Sequence, residues 1–223
     1  MTRKNKFKSA LICFLLQIPF FAKAEYGNIE SIYINMPQEQ NPFLSPQQRF
    51  EMIEYYKAGQ TDSIRNVFGA WTYIDELDLK KDQIKVSHAE GTSFEMKLFI
   101  TEKDKSLKIG IIESVHAPIC SSVVKFYNEK WESVASFDVE LKPTDFLDVD
   151  QIKKDKLITV KELCELLPPI FLKAEFHKQR NAIIFTNETI RTLGVNKQTK
   201  YAKYIKTKEL NISNKVKTLC KKH

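Results

Sequence analysis

Glycine is scarce in this chain, with six residues in 223. That leaves little room for a glycine-rich phosphate loop, and neither such a loop nor a Gly-x-Ser-x-Gly nucleophile elbow occurs. Cysteine is scarce too, at four residues. None stands in a Cys-x-x-Cys pair, and no His-x-x-x-His spacing is present, so nothing resembles a zinc site. Long apolar runs are also missing. The longest, Ala10 to Phe21, is interrupted by Gln17 and Pro19 and falls well short of the ~20 residues that a bilayer span requires. No later segment approaches one, so no membrane span is expected.

What precedes and follows that run gives it a different meaning. Arg3, Lys4, Lys6 and Lys8 form a charged start, and Ala22-Lys23-Ala24 is a small-residue cleavage site. Together they read as an export signal over residues 1–24, with a mature chain beginning near Glu25 in the periplasm or outside the cell. Cys13 follows Leu11 and Ile12 rather than a small residue, which argues against lipidation. Cys120, Cys164 and Cys220 remain after cleavage. An odd count in an oxidising compartment admits at most one internal bridge. Cys120 and Cys164 are the candidate disulfide; alternatively Cys164 packs on its helix as a free thiol, because spacing alone does not establish a bridge.

The formal charge of +7 depends on the basic start. Without residues 1–24 there are 30 basic against 28 acidic side chains, and nine of the lysines lie beyond Val195 beside a single acid, Glu209. The chain therefore divides into a mildly acidic body, 25–195, and a lysine-rich tail, 196–223. The body is long enough to fold as one domain. The tail, poor in apolar residues apart from Tyr201, Tyr204 and Ile205, is expected to be disordered in isolation.

Within the body, Ile29 to Asn35 is rich in β-branched and aromatic residues and ends at Met36-Pro37, which predicts a first strand. Ser45-Pro46-Gln47-Gln48 is a capping box that opens a helix carrying Phe50, Ile53 and Tyr56, closed by Gly59. A second helix is predicted from about Thr61 through Ile64, Val67 and Phe68 to Gly69. From Trp71 the period becomes two: Ile84 and Val86, then Phe94 to Ile100, then Leu107 to Ile111, then Ser122 to Tyr127. The connectors Ala89-Glu90-Gly91-Thr92 and Lys103-Asp104-Lys105-Ser106 suit hairpins, hence an antiparallel meander. Residues 134–156 read as a crossing connection. Thr159 and Glu162 form another capping box before Leu163, Cys164 and Leu167. After Pro168-Pro169 a hairpin follows, Ile170 to Phe176 and Ala182 to Thr186. The fold class is α+β: an antiparallel β-meander with short helices packed on one face, in a single domain.

Three blocks stand in a recognisable order. Ser31-Ile32-Tyr33-Ile34-Asn35-Met36-Pro37 leads into Phe43-Leu44-Ser45 and a helix with Arg49, Met52 and Ile53. Met96-Lys97-Leu98 follows, then Ala117-Pro118-Ile119-Cys120-Ser121-Ser122 through Phe126-Tyr127 to Trp131. Over roughly Ile29 to Phe185 the chain resembles an uncharacterised family of secreted Bacteroidales proteins, domain of unknown function 3256. The resemblance implies a periplasmic or surface protein with no assigned activity and supplies no catalytic residues. The lysine tail departs from the family pattern.

Candidate chemistry is thin. His116 lies four residues before Cys120, and a Cys-His pair is a nucleophile in principle, yet a plain structural role is favoured. His88, His116 and His177 with Glu90 and Glu175 are the only material for a metal site. Asp145, Asp148 and Asp150 lack the glycine and distal glutamate of a calcium loop. Asp62-Ser63-Ile64 fits an O-glycan acceptor pattern and equally a helix start. The expectation is an exported, non-enzymatic binding or envelope-accessory domain without cofactor or metal. Its partner would be an envelope protein or polymer, not nucleic acid, with weak anionic-surface contact through the tail. The alternative is a small hydrolase acting on an envelope or dietary polymer.

Overall fold

The computed structural model describes residues 27–60, 63–100, 106–136 and 140–212. A seven-stranded antiparallel sheet forms the centre, its strands in chain order: β1 (Ile64–Arg65), β2 (Trp71–Asp78), β3 (Gln83–Ala89), β4 (Thr92–Ile100), β5 (Leu107–Val115), β6 (Ser121–Asn128) and β7 (Ser133–Ser136). The meander is thus the architecture that the alternating pattern predicts. Gly91, with φ of +81°, makes the β3–β4 turn, a backbone geometry that glycine adopts without a Cβ penalty. The Lys103–Ser106 hairpin connector lies mostly outside the described residues.

One face of the sheet is covered by two helices. Ile29–Ile34 is helix α1, not the expected strand. Asn28 accepts a hydrogen bond from the Ser31 amide at 2.8 Å, and Ile29 and Tyr33, one turn apart, are both fully buried. The β-branched composition suggested a strand; the N-cap and the four-residue spacing of buried side chains outweigh it. Helix α2, Pro46–Lys57, starts at the predicted Ser45/Gln48 capping box. It buries Arg49, Met52 and Ile53, whereas Phe50 is exposed.

The helix expected from Thr61 is absent; Ile64–Arg65 pairs with Trp71–Thr72 as a strand. Asn66 decides this. Its Oδ1 accepts the amides of Phe68 (3.0 Å) and Ala70 (3.1 Å), while its Nδ2 donates to Thr72 Oγ1 (3.1 Å) and to the His88 carbonyl (2.6 Å). The side chain thereby holds a tight turn that a helix would open, leaving Val67 and Phe68 exposed. Asp62, of the glycan-acceptor pattern, lies outside the described residues.

The sheet's other face carries a second, three-stranded sheet in the order β10-β9-β8: β8 (Leu172–Phe176) and β9 (Ala182–Asn187), the predicted hairpin, joined by β10 (Lys208–Asn211). Phe99, Ile112 and Phe126 of the large sheet pack with Phe176, Ile183, Phe185 and Leu210 of the small one. A third cluster gathers Leu147, Ile152, Leu163, Leu167, Tyr201 and Tyr204 from α3 (Val149–Asp155), α4 (Val160–Leu166), α5 (Val195–Tyr201) and the short helical turns beside them. The Thr159/Glu162 capping box opens α4 as predicted, and α3 fills part of the stretch read as a crossing connection.

The division at residue 195 is therefore corrected. Residues 195–212 belong to the domain: β10 pairs with β9, and Tyr201, Tyr204, Leu210 and Ile212 are buried. The acidic connection and the lysine-rich segment complement each other. Lys208 meets Asp145 at 2.8 Å, and Asp155 receives both Lys203 and, at 3.0 Å, the Tyr204 hydroxyl. Local sequence context makes these lysines look like a solvated arm, because their acidic partners lie 48 and 63 residues earlier. Cys220 and the last lysines lie outside the described residues.

A candidate ligand cleft

Arg49 sets the geometry of the site. Fully buried, it donates to the carbonyls of Ile34 (3.1 Å), Leu44 (3.3 Å) and Met36. Among the described residues no carboxylate pairs with it; carbonyl dipoles take that place. Because Met36 and Leu44 flank the segment between α1 and α2, one guanidinium fixes both ends of the loop that carries Asn41 and Phe43. Burial, first, and then Arg49's charge act on neighbouring ionisable groups: Tyr33 is pushed well above the ordinary phenol range by burial, against the lowering effect of Arg49.

That loop forms one wall of a cleft of about 470 Å³ whose floor is the end of the sheet beyond the helices: Thr92 and Phe94 of β4, Glu113 and Val115 of β5, Val123 of β6. By strand alternation these side chains share the face that α1 and α2 cover elsewhere. Val115 and Val123 are exposed, so the floor is apolar and open. The volume falls in the range of small-molecule pockets.

His88 lies at the back of the cleft, on the buried parity of β3 after Ile84 and Val86, and is 3% exposed. Its ring stacks on Phe43 with centroids 4.5 Å apart and planes 4° from parallel. The Phe43 amide donates to Asn41 Oδ1 at 3.2 Å, which turns the Asn41 amide nitrogen toward His88 Nε2, also at 3.2 Å. Nε2 must then accept, so the ring proton sits on Nδ1. Burial, with Arg49's charge as the smaller cause, lowers the His88 pKa to about 4, and the ring is neutral near pH 7. Among the described residues Nδ1 and the buried Thr92 Oγ1 have no hydrogen-bond partner, each a cost of roughly 1–3 kcal/mol unless something supplies one.

The other candidate residues do not converge here. His116 Nε2 contacts Ser93 Oγ at 2.9 Å; Ser93 has the opposite parity to Thr92 and Phe94 on β4, yet it borders the cleft at its edge with Ser114. Burial raises the Cys120 thiol pKa, the reverse of what an activated nucleophile needs. Cys120 and Cys164 are both free thiols, so the bridge considered between them is not formed in this structure; Cys164, half-buried on α4, is likewise raised by burial. His177 organises the β8–β9 turn, its Nδ1 accepting the amides of Gln179 (3.0 Å) and Arg180 (3.1 Å). Glu175 pairs with Lys173 at 2.9 Å, and Asp148 caps α3. Among the described residues no group of three or more His, Cys, Asp or Glu side chains gathers to hold a metal ion, nor is any helix long and apolar enough to cross a membrane.

Two functional-looking groups went unnoticed in the sequence. Glu95 is buried between the two sheets, where its carboxylate accepts from Gln83 Nε2 (2.6 Å) and from the Phe176 amide (3.3 Å). Burial raises its pKa to about 7. Lys97, buried beside it on the same strand face, donates to the carbonyls of His177 (2.8 Å) and Arg180 (3.3 Å), and burial lowers its pKa. Both tie β4 to the β8–β9 hairpin. Their alternation with Phe94, Met96 and Leu98 looks like a solvated face until the second sheet is placed on it.

The fold and cleft together define a mixed α+β domain with an open pocket at the end of its main sheet. Residues 22–215 match the family described as "Protein of unknown function (DUF3256)", and the chain belongs to that family. The match runs past residue 195, in line with the folded state of the segment through Ile212. Among solved structures the chain is similar to a domain of an uncharacterized protein from Porphyromonas gingivalis W83. That likeness is 16% in sequence identity with a TM-score of 0.62, covering 82% of this chain and 92% of that one. At such identity it shows the shared fold. No functionally curated protein shows significant similarity to the chain.

Proposed function

We propose that this protein is exported to the periplasm or cell surface of a Bacteroidales-type bacterium and acts there as a non-enzymatic binding or envelope-accessory domain. The observation that carries the binding role is the cleft: a concave, apolar-floored site with a few placed polar groups, the usual makeup of a ligand pocket. Export is supported by the charged start, short apolar run and Ala-x-Ala site of residues 1–24. Neither a cofactor nor nucleic acid fits this reading; the partner is an envelope protein or polymer. Expression with the native start, fractionation and N-terminal sequencing test the export: a chain beginning at Glu25 outside the cytoplasm is expected, and an uncleaved cytoplasmic chain overturns it. A thermal-shift screen of envelope extracts against the protein and a V123W variant tests the cleft; stabilisation of the parent alone supports it.

A second reading, a small hydrolase, is favoured by one contact, Ser93 Oγ to His116 Nε2 at 2.9 Å, since such a pair activates a serine. Turnover of ester, peptide or glycoside substrates that disappears in S93A would establish it. Ser93 borders the cleft, so the hydrolase reading shares part of that site; the apolar floor and the few placed polar groups carry the binding reading further. Contact of the tail with anionic surfaces remains part of the proposal for the exposed Lys197, Lys200 and Lys206 and for the lysines beyond Ile212, but not for Lys203 and Lys208, which are engaged with Asp155 and Asp145.

A further inference from the structure

The cleft has a polarity that narrows its ligand. Its charged groups are offset or solvated: Glu113 is held by Lys125 Nζ at 2.6 Å, Arg49 near His88 is met by carbonyls, and Glu39, which lines the cleft, is exposed to solvent. Beneath its lining, without a partner among the described residues, lies a donor, the His88 Nδ1–H, in a cleft-lining side chain that is almost wholly buried, together with the Thr92 hydroxyl. Around them the surface is apolar, formed by Phe43, Phe94, Val115 and Val123.

We propose that the cleft takes an uncharged ligand with an apolar body and a carbonyl oxygen, the body lying on Val115, Val123 and Phe43 and the oxygen accepting from His88 Nδ1 and Thr92 Oγ1. The inference rests on the cleft being the binding site. A carboxylate is disfavoured, because the neutral imidazole offers one N–H and no charge to compensate the desolvated anion. An ammonium is disfavoured because it brings donors to a donor and leaves Nδ1–H unmatched. Both donors are sealed from water in the free protein, so engagement includes a small outward shift of Asn41 and Phe43, whose hold on the ring is one 3.2 Å hydrogen bond and a stack. The carbonyl belongs either to a small amide or to a polypeptide.

Three probes with one skeleton separate these chemistries: 3-phenylpropionamide, 3-phenylpropionate and 3-phenylpropylamine, titrated into the protein while the Val115 and Val123 methyls and the His88 ring nitrogens are followed by NMR. The expected result is at least tenfold tighter binding of the amide, a shift confined to His88 Nδ1–H, and loss of that preference in H88F. T92V, at a half-buried position, gives the same reading with a smaller loss if H88F fails to fold. Equal binding of all three probes overturns the ligand class and leaves the binding cleft standing. Absence of binding by all three, with V123W indistinguishable from the parent in the extract screen, overturns both. A crystal soaked in the amide that shows only a water on Nδ1 and Thr92 Oγ1 also overturns the class. Acetyl-Phe-Gly-amide in place of the simple amide distinguishes the sources: tighter binding assigns a polypeptide, weaker binding a small amide.

Discussion

Asn41 Nδ2 lies 3.2 Å from His88 Nε2, so a residue of the interhelical loop fixes the tautomer of a residue on β3. The Phe43 amide orients Asn41, and the Phe43 ring covers the imidazole. A loop of this kind is usually the least ordered part of a domain; here Arg49 holds both of its ends.

Removing that hold is the first prediction. R49M leaves the carbonyls of Ile34, Leu44 and Met36 buried without their donor, and at roughly 1–3 kcal/mol per unsatisfied group a total loss of about 3 kcal/mol or more is expected. Urea denaturation measures it, and hydrogen exchange at the Phe43 amide should accelerate beyond the global effect. An unchanged midpoint would mean that water replaces the guanidinium at no cost.

His88 makes stability depend on acid. Its pKa falls from 6.5 unfolded to about 4 folded, so the folded state binds the proton less readily. The associated stability is present above pH 6.5 and is lost as pH falls through about 4, a change of about 3 kcal/mol. An imidazole titrating near 4 by NMR, and a flatter profile over this window in H88F, are the expected outcomes.

Glu95 acts in the opposite sense. Its pKa rises from 4.5 to about 7, so its contribution is fully present below 4.5 and is lost as pH rises through about 7. The magnitude is again about 3 kcal/mol. The two windows overlap and offset one another in the parent protein. E95Q should remove the loss on the alkaline side and unmask the acid-side slope of His88; an E95Q profile identical to the parent's would count against the buried, protonated carboxyl.

Gly110 lies beneath three aromatic rings where the two sheets pack together. A Cβ there would lie 2.8 Å from Phe99, 2.9 Å from Phe176 and 3.1 Å from Phe126, closer than packed carbons approach. G110A should destabilise by about 1–3 kcal/mol, read as a lowered midpoint with an unchanged denaturant slope.

Tyr204 tests the corrected boundary. It is fully buried and its hydroxyl bonds Asp155, so Y204A should cost about 3–5 kcal/mol, and deletion of residues 196–223 should cost more by removing β10 as well. A solvated tail would show neither effect.

By itself the sequence determined what depends on neighbours along the chain: the Ser45/Gln48 and Thr159/Glu162 caps, the alternation of β3 to β6, the Gly91 turn, and the β8–β9 hairpin. Each is a local match between side-chain chemistry and backbone geometry, and the family resemblance rests on the same blocks. Where local signals competed, as in the β-branched α1 segment or the helix-like spacing around Val67, one polar side chain, Asn28 or Asn66, decided the outcome by hydrogen bonds whose weight composition does not express. Tertiary structure alone decided the second sheet on the polar-looking face of β4, the burial of Glu95 and Lys97, the pairing of tail lysines with Asp145 and Asp155, and the cleft. Its residues span Glu39 to Val123, and a pocket is a relation between surfaces: His88 reads as a solitary histidine until folding places Asn41, Phe43 and Arg49 around its ring.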